Sequence, residues 1–443
     1  MSYLFLLMVV MVPALRAIIV SDRDDKVALF IMMILFGSTA LISLWFVNEE
    51  FPFSGAGDDK DYFDASVRPL NGIDEWLNLR QFKGTHEQGG YPLLLSWIHQ
   101  FSGGSLFHRK AMNLGFFLLL APVWYEIGRV IGGRRLAFVF ATGVLLCTPL
   151  WFYWVFLLKD IVIVFLQSLL LLGLVNVLSG TRSARGYCIV VLSTVLLIPF
   201  RSLLTLLNGA ALVAASFLRG RDQKIASVPA KLLIACVLVG ALIVVGRNAT
   251  TLEIFGVAGE NRTLSYNSVK EQIALGSEVQ EVYLSNPIKF TLVYLVGEVA
   301  AFNPQSWRSL NAELIRSVTM VPWVYFGLPF FLIGAWSIAF NRKAWFKNGK
   351  LRNVRDWKPK MDGSELPDRA CLMLLLGFVA GYALVSWLSG DTTRWRMPSM
   401  PPMIAVAGFA WCSMRGTTRF HLLVGWFMAL SVALVVYYGV VKY

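Results

Sequence analysis

Four carboxylates fall within seven residues at Asp58, Asp59, Asp61 and Asp64, in the run FPFSGAGDDKDYFDAS just beyond a long apolar stretch. Carboxylates this close raise one another's proton affinity, which is how a general base is poised or a divalent cation is held. A solvated acidic loop cap is the plain alternative. Gly57 before the pair permits a tight turn, and Tyr62 could anchor the segment at a membrane surface. The second acidic candidate is Asp160 in LLKDI, where Lys159 and Asp160 separate two apolar runs. Read structurally, Lys159 snorkels and pairs with its neighbour. Read chemically, Asp160 is aimed into the same cavity as Asp58 and Asp59.

The cations follow a similar logic. Arg201, in IPFRSLLTLLNG, has apolar sequence on both sides. A guanidinium at membrane depth is costly, so it faces a cavity or a partner unless it merely caps a short hairpin. Arg394 and Arg396 flank Trp395 in SGDTTRWRMPSMPP. Arginine binds phosphate oxygens in a bidentate way, so this trio suits an amphipathic lipid head, or else a simple interfacial anchor. His86, His99 and His108 share the first polar segment, but spacings of 13 and 9 residues make no metal-ligand signature. The five cysteines all lie in apolar runs and none forms a C-x-x-C pair. No Walker A, G-x-S-x-G, H-E-x-x-H or dinucleotide fingerprint is present, which argues against nucleotide-driven chemistry.

The elements that must position these residues are set by composition. The chain has 443 residues, 56% hydrophobic and only 15% charged, with a mean hydropathy of +0.61. A soluble domain carries about 25% charged residues. Apolar runs recur along the whole chain, so the expected fold is all-α: a polytopic integral membrane protein occupying 1–443 as one membrane domain. About 20 apolar residues cross a bilayer. On that rule spans are expected near 3–20, 27–47, 111–131, 136–157, 161–179, 187–201, 203–218, 231–246, 317–340, 370–388, 397–413 and 420–440, about twelve helices in all. The first run contains Arg16 and lacks an A-x-A-like cleavage site, so it reads as a retained helix. Tyr91–Phe101 and Pro287–Phe302 are too short or too charged to span and read as interfacial helices.

Alternating these spans divides the connections between two faces. One face collects 22 basic and nine acidic residues; the other holds 17 basic and 18 acidic, with Lys231, at a span edge, left out. By the positive-inside rule the first face is cytoplasmic and both termini lie outside. The acidic segment 48–110, the loop 247–316 and the hairpin 389–396 then face outward, and 341–369 is a basic cytoplasmic loop. The +13 net charge is a topology signal. No basic stripe with interleaved aromatics accompanies it, so nucleic acid is not an expected partner.

In this order the segments resemble the GT-C glycosyltransferases, multi-spanning enzymes that use polyprenyl-phosphate-linked sugar donors on the outer membrane face. The resemblance is to the lipid A aminoarabinose transferases and protein mannosyltransferase-like members. It rests on GDDKDY after an early span, then GGYPLLLSWIHQFSGGSLFHRKAMNLGFF, EIGRVIGGRRLAFVFATGVLLCTP, LLKDI, and GDTTRWRMPSMPPMIAVAG. Roughly half the chain is covered. The acidic motif here follows the second apparent span rather than the first, and no large soluble C-terminal domain follows. Both departures bring the chain closer to Wzy-like and EpsG-like exopolysaccharide polymerases.

The resemblance implies Asp58 or Asp59 as the general base and Asp160 as an orienting carboxylate. Lys159, Arg201, Arg394 and Arg396 would neutralise the departing donor phosphate. Tyr62 and His86 join the substrate-binding set. It implies a glycan, lipid or protein acceptor, membrane lipids as partners, an inner (plasma) membrane location, and no cofactor, with a divalent cation left open. Two alternatives stand beside it. One is a repeat-unit polymerase using an undecaprenyl-diphosphate-linked glycan; the other is a lipid-linked glycan flippase, a transporter rather than an enzyme.

Overall fold

The computed structural model describes residues 2–53, 58–67, 90–102, 105–180, 183–201, 208, 291, 294–295, 312–340, 346–347, 350–351, 368–389, 396–414 and 416–436. Long apolar runs satisfy their backbone best as helices, and helices dominate even where Pro13 and Pro122 fall inside them. The first two are α1 (Ser2–Val20) and α2 (Lys26–Glu50), joined by a turn in which Asp25 N–H donates to Asp22 O at 2.9 Å. The polar segment after them forms α3 (Asp58–Val67) and α4 (Gly90–Ser102). Next come α5 (Leu106–Leu145), the short α6 (Trp151–Val155), α7 (Asp160–Ser179) and α8 (Ser183–Leu197). The last third holds α9 (Ala312–Pro322), α10 (Leu328–Phe340), α11 (Arg369–Ser389), α12 (Met400–Ser413) and α13 (Gly416–Val436).

Five stretches among the described residues are long and apolar enough to cross a membrane: Tyr3–Val20, Lys26–Glu50, Leu106–Leu145, Asp160–Ser179 and Val318–Phe340. Ala184–Leu197 and Arg369–Ala383 are shorter apolar helices. The expected spans 203–218 and 231–246 lie outside the described residues, Asn208 apart, as does most of 247–316.

Three expectations are refined. Spans 111–131 and 136–157 are the two arms of α5, which breaks at Gly132–Gly133. Gly133 takes φ +79°, a left-handed value that glycine adopts without steric cost. The arms fold back so closely that a Cβ on Gly128 would lie 2.6 Å from Ala137 Cα. The second arm stops at Leu145 rather than 157. Pro149 cannot continue a helix, and a 3-10 turn (Thr148–Leu150) leads into α6. Trp151 then donates to the freed Leu145 carbonyl at 3.1 Å. The span expected at 317–340 is continuous but passes through a π turn at Trp323–Gly327, directly after Pro322. Finally, the all-α expectation meets a two-residue antiparallel ladder inside 341–369, β1 (Phe346–Lys347) with β2 (Lys350–Leu351), pairing Phe346 with Leu351.

The arms of α5 and helix α7 form the buried centre, with Phe117, Trp124, Phe140, Ile163 and Leu171 inside it. Helices α1 and α2 lie outside them and keep large apolar side chains exposed, among them Ile31, Leu35, Trp45 and Phe46. At one end of this bundle the connections carry the basic residues. Arg134 pairs with Asp25 at 2.7 Å and Asp24 at 2.6 Å, and Tyr125 donates to Asp25 at 2.7 Å. Glu126 accepts from Arg16 and, at 3.0 Å, from Arg185. Arg129 donates to Val20 O at 3.1 Å, and Asp368 N–H to Ile131 O at 2.7 Å. The turns near 22 and 132, Arg185 at the start of α8, and Asp368, which strict alternation assigned to one face, meet at one end.

Candidate active site

The site forms at the opposite end of the same helices. Helix periodicity first sorts the acidic cluster. On α3, Asp59, Tyr62 and Ser66 are buried at spacings of three and four, one helical face. Asp61 and Asp64 are exposed on the other. The four carboxylates therefore do not converge: Asp59 is buried, while Asp61 and Asp64 form a solvated acidic face. Asp58 opens the helix; its side chain lies outside the described residues.

A break between α6 and α7 places the second acidic residue. The chain turns extended at Phe156 (φ −97°, ψ 163°), and α7 restarts at Asp160. The carbonyls freed at Phe156 and Leu158 are both held by Asn113 of α5, whose Nδ2 donates to each at 3.1 Å. Asn113 Oδ1 accepts from the Tyr91 phenol of α4, also at 3.1 Å. One buried amide thus ties α4, α5 and the α6–α7 break together. Burial drives the Tyr91 phenol far above its usual proton affinity; the Asn113 bond opposes this, and the charges of Asp160 and Asp59 reinforce it. Tyr91 stays a neutral donor.

Around this knot lie the charges. Asp160 sits at the first turn of α7, where the helix dipole favours a carboxylate, and Arg201 approaches it at 3.5 Å. Asp160 thus meets Arg201, not only the adjacent Lys159 that a snorkelling hairpin would supply. Lys159 is buried, 4% exposed, with its ammonium 5.9 Å from the centre of the Tyr62 ring. Tyr62 stacks edge-on against Tyr91, centroids 5.0 Å apart, so it is an interior ring and not a surface anchor. Lys110 is fully buried, donates to Phe51 O at 3.2 Å, and feels the charge of Asp59. Beside it, Arg109 lies 4.2 Å above the Phe63 ring and 2.6 Å from His99 Nδ1. Gly90 lets α4 dock: its N–H donates to Pro199 O at 3.0 Å, and a Cβ there would lie 2.6 Å from that same oxygen. This contact brings the chain just before Arg201 against α4.

Asp59, Tyr62, Lys159, Asp160 and Arg201, picked from sequence, therefore belong to one buried constellation. No family model, curated protein or solved structure matches the chain. The chemistry must be read from the residues alone. Among the described ones, Lys110, Lys159 and Arg201 set three cations against the carboxylates Asp59 and Asp160. A site with that balance, shielded from water, accepts an anion while keeping carboxylates to handle a proton. No group of three His, Cys, Asp or Glu among the described residues could hold a metal ion.

Arg396 forms a second station. It is 4% exposed and donates to Tyr294 O and to Met320 Sδ, each at 3.4 Å, while its own carbonyl accepts from Ser399 at 2.7 Å. This is an interior arginine, unlike the interfacial anchor that its neighbour Trp395 suggests. Arg394 and His86 lie outside the described residues. Sequence reading passed over Tyr91, Lys110 and Asn113. The signal was there: Arg109-Lys110 opens an apolar run, and Asn113 lies inside it, positions where polar groups must find partners.

Proposed function

We propose that the chain is an integral membrane glycosyltransferase that moves a sugar from a polyprenyl-phosphate-linked donor to an acceptor hydroxyl. The observation that carries this is the set of two buried lysines, Lys110 and Lys159, and the half-buried Arg201 around Asp59 and Asp160, at the end opposite the basic turns. The positive-inside rule puts those turns in the cytoplasm and the set on the outer side, where a lipid-linked sugar can be used without a nucleotide. The chain then crosses the membrane about twelve times and takes a GT-C-like arrangement, with α4 as an interfacial helix.

In this reading Asp59 accepts the proton of the acceptor hydroxyl. The hydroxyl oxygen forms the new bond to the anomeric carbon, and the bond from that carbon to the phosphate oxygen breaks. The phosphate leaves with the electron pair, and Arg201, Lys159 and Lys110 stabilise its growing charge. Asp160, at the first turn of α7 and paired with Arg201, positions that arginine. Asp58 is the alternative base.

The polymerase reading has one observation in its favour: Arg396 supplies a second cationic station in the interior, which suits the second phosphate of a diphosphate carrier. Sugar transfer by membranes containing the protein, offered matched polyprenyl-monophosphate and polyprenyl-diphosphate saccharides, separates the two. Turnover of the monophosphate donor supports the proposal, turnover of only the diphosphate supports the polymerase, and net movement of either lipid across vesicles without transfer supports a flippase.

A further inference from the structure

One pair of buried polar side chains has no role in the proton and phosphate chemistry above. Gln167 lies seven residues after Asp160 on α7, so two helical turns put it on the same face, about 10 Å further along the axis. Tyr382 of α11 faces it. Gln167 is 0% and Tyr382 2% exposed. Their polar ends meet one another short of a well-formed hydrogen bond, and neither amide atom of Gln167 nor the Tyr382 hydroxyl meets any other partner among the described residues. Buried amides and phenols in folded proteins are paired with protein, water or ligand, because leaving them dry is costly. One contact cannot use the full donor and acceptor capacity of an amide and a phenol, so the spare capacity at this spot marks a place built to receive a hydrogen-bonding guest.

The surroundings say what kind of guest. Arg201 and Tyr294 both act electrostatically on Tyr382, and Tyr294 reaches Ser399 at 2.7 Å while its carbonyl accepts from Arg396. The spot thus links the two cationic stations but is itself neutral. A phosphate or carboxylate would take the arginines. A hydroxyl, donor and acceptor at once, matches an amide and a phenol, and the Phe378 ring 4.8 Å from Tyr382 adds a flat apolar wall of the kind a sugar face can rest on. We infer that Gln167 and Tyr382 form a hydroxyl-binding subsite that reads the saccharide of the lipid-linked donor whose phosphate rests on Arg201. This rests on the donor proposed above. An ordered water is the other source of the same chemistry.

The test uses the full chain in detergent, with geranyl phosphate and its glucosyl, galactosyl and mannosyl esters as probes. Wild type should bind at least one ester more tightly than geranyl phosphate. Tyr382→Phe and Gln167→Met, each removing polar atoms with little change of volume, should weaken that ester about tenfold, the size of one lost hydrogen bond of the stronger kind. Affinity for geranyl phosphate and the unfolding midpoint should stay close to wild type. Retention of the sugar preference in both variants overturns the subsite while leaving the donor reading intact. Retained preference with a lowered midpoint identifies a structural water instead. If wild type binds geranyl phosphate but prefers no ester, the subsite falls alone; if it binds none of the probes, both readings fall.

Discussion

Arg201 and Asp160, 41 positions apart, form an ion pair at 3.5 Å with side chains 13% and 3% exposed. Removing one member of a buried pair strands a charge, which costs about 3–5 kcal/mol, whereas removing both costs far less. Asp160→Asn and Arg201→Gln should each lower the unfolding midpoint markedly, and the double variant should recover part of the loss. Additive losses in a double-mutant cycle would show that the two do not act as a pair.

Asn113 has a different kind of importance, because it satisfies two chain-break carbonyls and a phenol at once. Asn113→Leu leaves the Leu158 carbonyl and the Tyr91 phenol unpaired in the interior and Phe156 O with only the Leu158 N–H at 2.9 Å, a penalty of about 2–4 kcal/mol. Thermal unfolding of the purified protein should show it, and Tyr91→Phe, which loses one bond, should cost less than half as much. Equal stability of Asn113→Leu and wild type would contradict the knot.

Gly90 admits no side chain without displacing the Pro199 carbonyl. Gly90→Ala should loosen α4 from the segment before Arg201, exposing that segment to limited proteolysis, while Gly377→Ala, where a Cβ meets nothing within 4 Å, should leave the cleavage pattern unchanged.

Sidedness is open to direct chemistry. Cysteines placed at Asp24, among the basic turns, and at Asp61, on the exposed face of α3, should react with an impermeant thiol reagent from opposite sides of sealed vesicles, Asp61 from the outside. Labelling of both from one side would overturn the two-ended arrangement. Native Cys188 is exposed and is replaced by Ser beforehand.

Much of this was legible in the residues. Length and apolar patterning located α1, α2, α7 and the stretch Val318–Phe340 closely, and counting charges by alternation collected Arg16, Glu126, Arg134 and Arg185 onto one side, where they pair. The acidic cluster was harder. Proximity in sequence suggested four cooperating carboxylates, but α3 turns Asp59 inward and Asp61 and Asp64 outward, a consequence of 3.6-residue periodicity that a loop reading hides. Lys110 and Asn113 were passed over because their importance lies in long-range partners, Phe51, Phe156 and Leu158, that spacing along the chain does not reveal. Gln167 was hidden for the opposite reason: it is one polar residue in a long apolar run, and its meaning depends on Tyr382 more than 200 positions away.

The central claim is that Asp59 is the base of a sugar transfer, and one comparison addresses it most directly. Transfer from a polyprenyl-phosphate-linked sugar would be measured in membranes holding equal amounts of inserted wild type, Asp59→Asn and Asp61→Asn. The account predicts that Asp59→Asn loses transfer by about 100-fold or more, the scale of a positioned general base, while Asp61→Asn, exposed on the opposite face of the same helix, stays near wild type. Full activity in Asp59→Asn with the protein correctly inserted would contradict it.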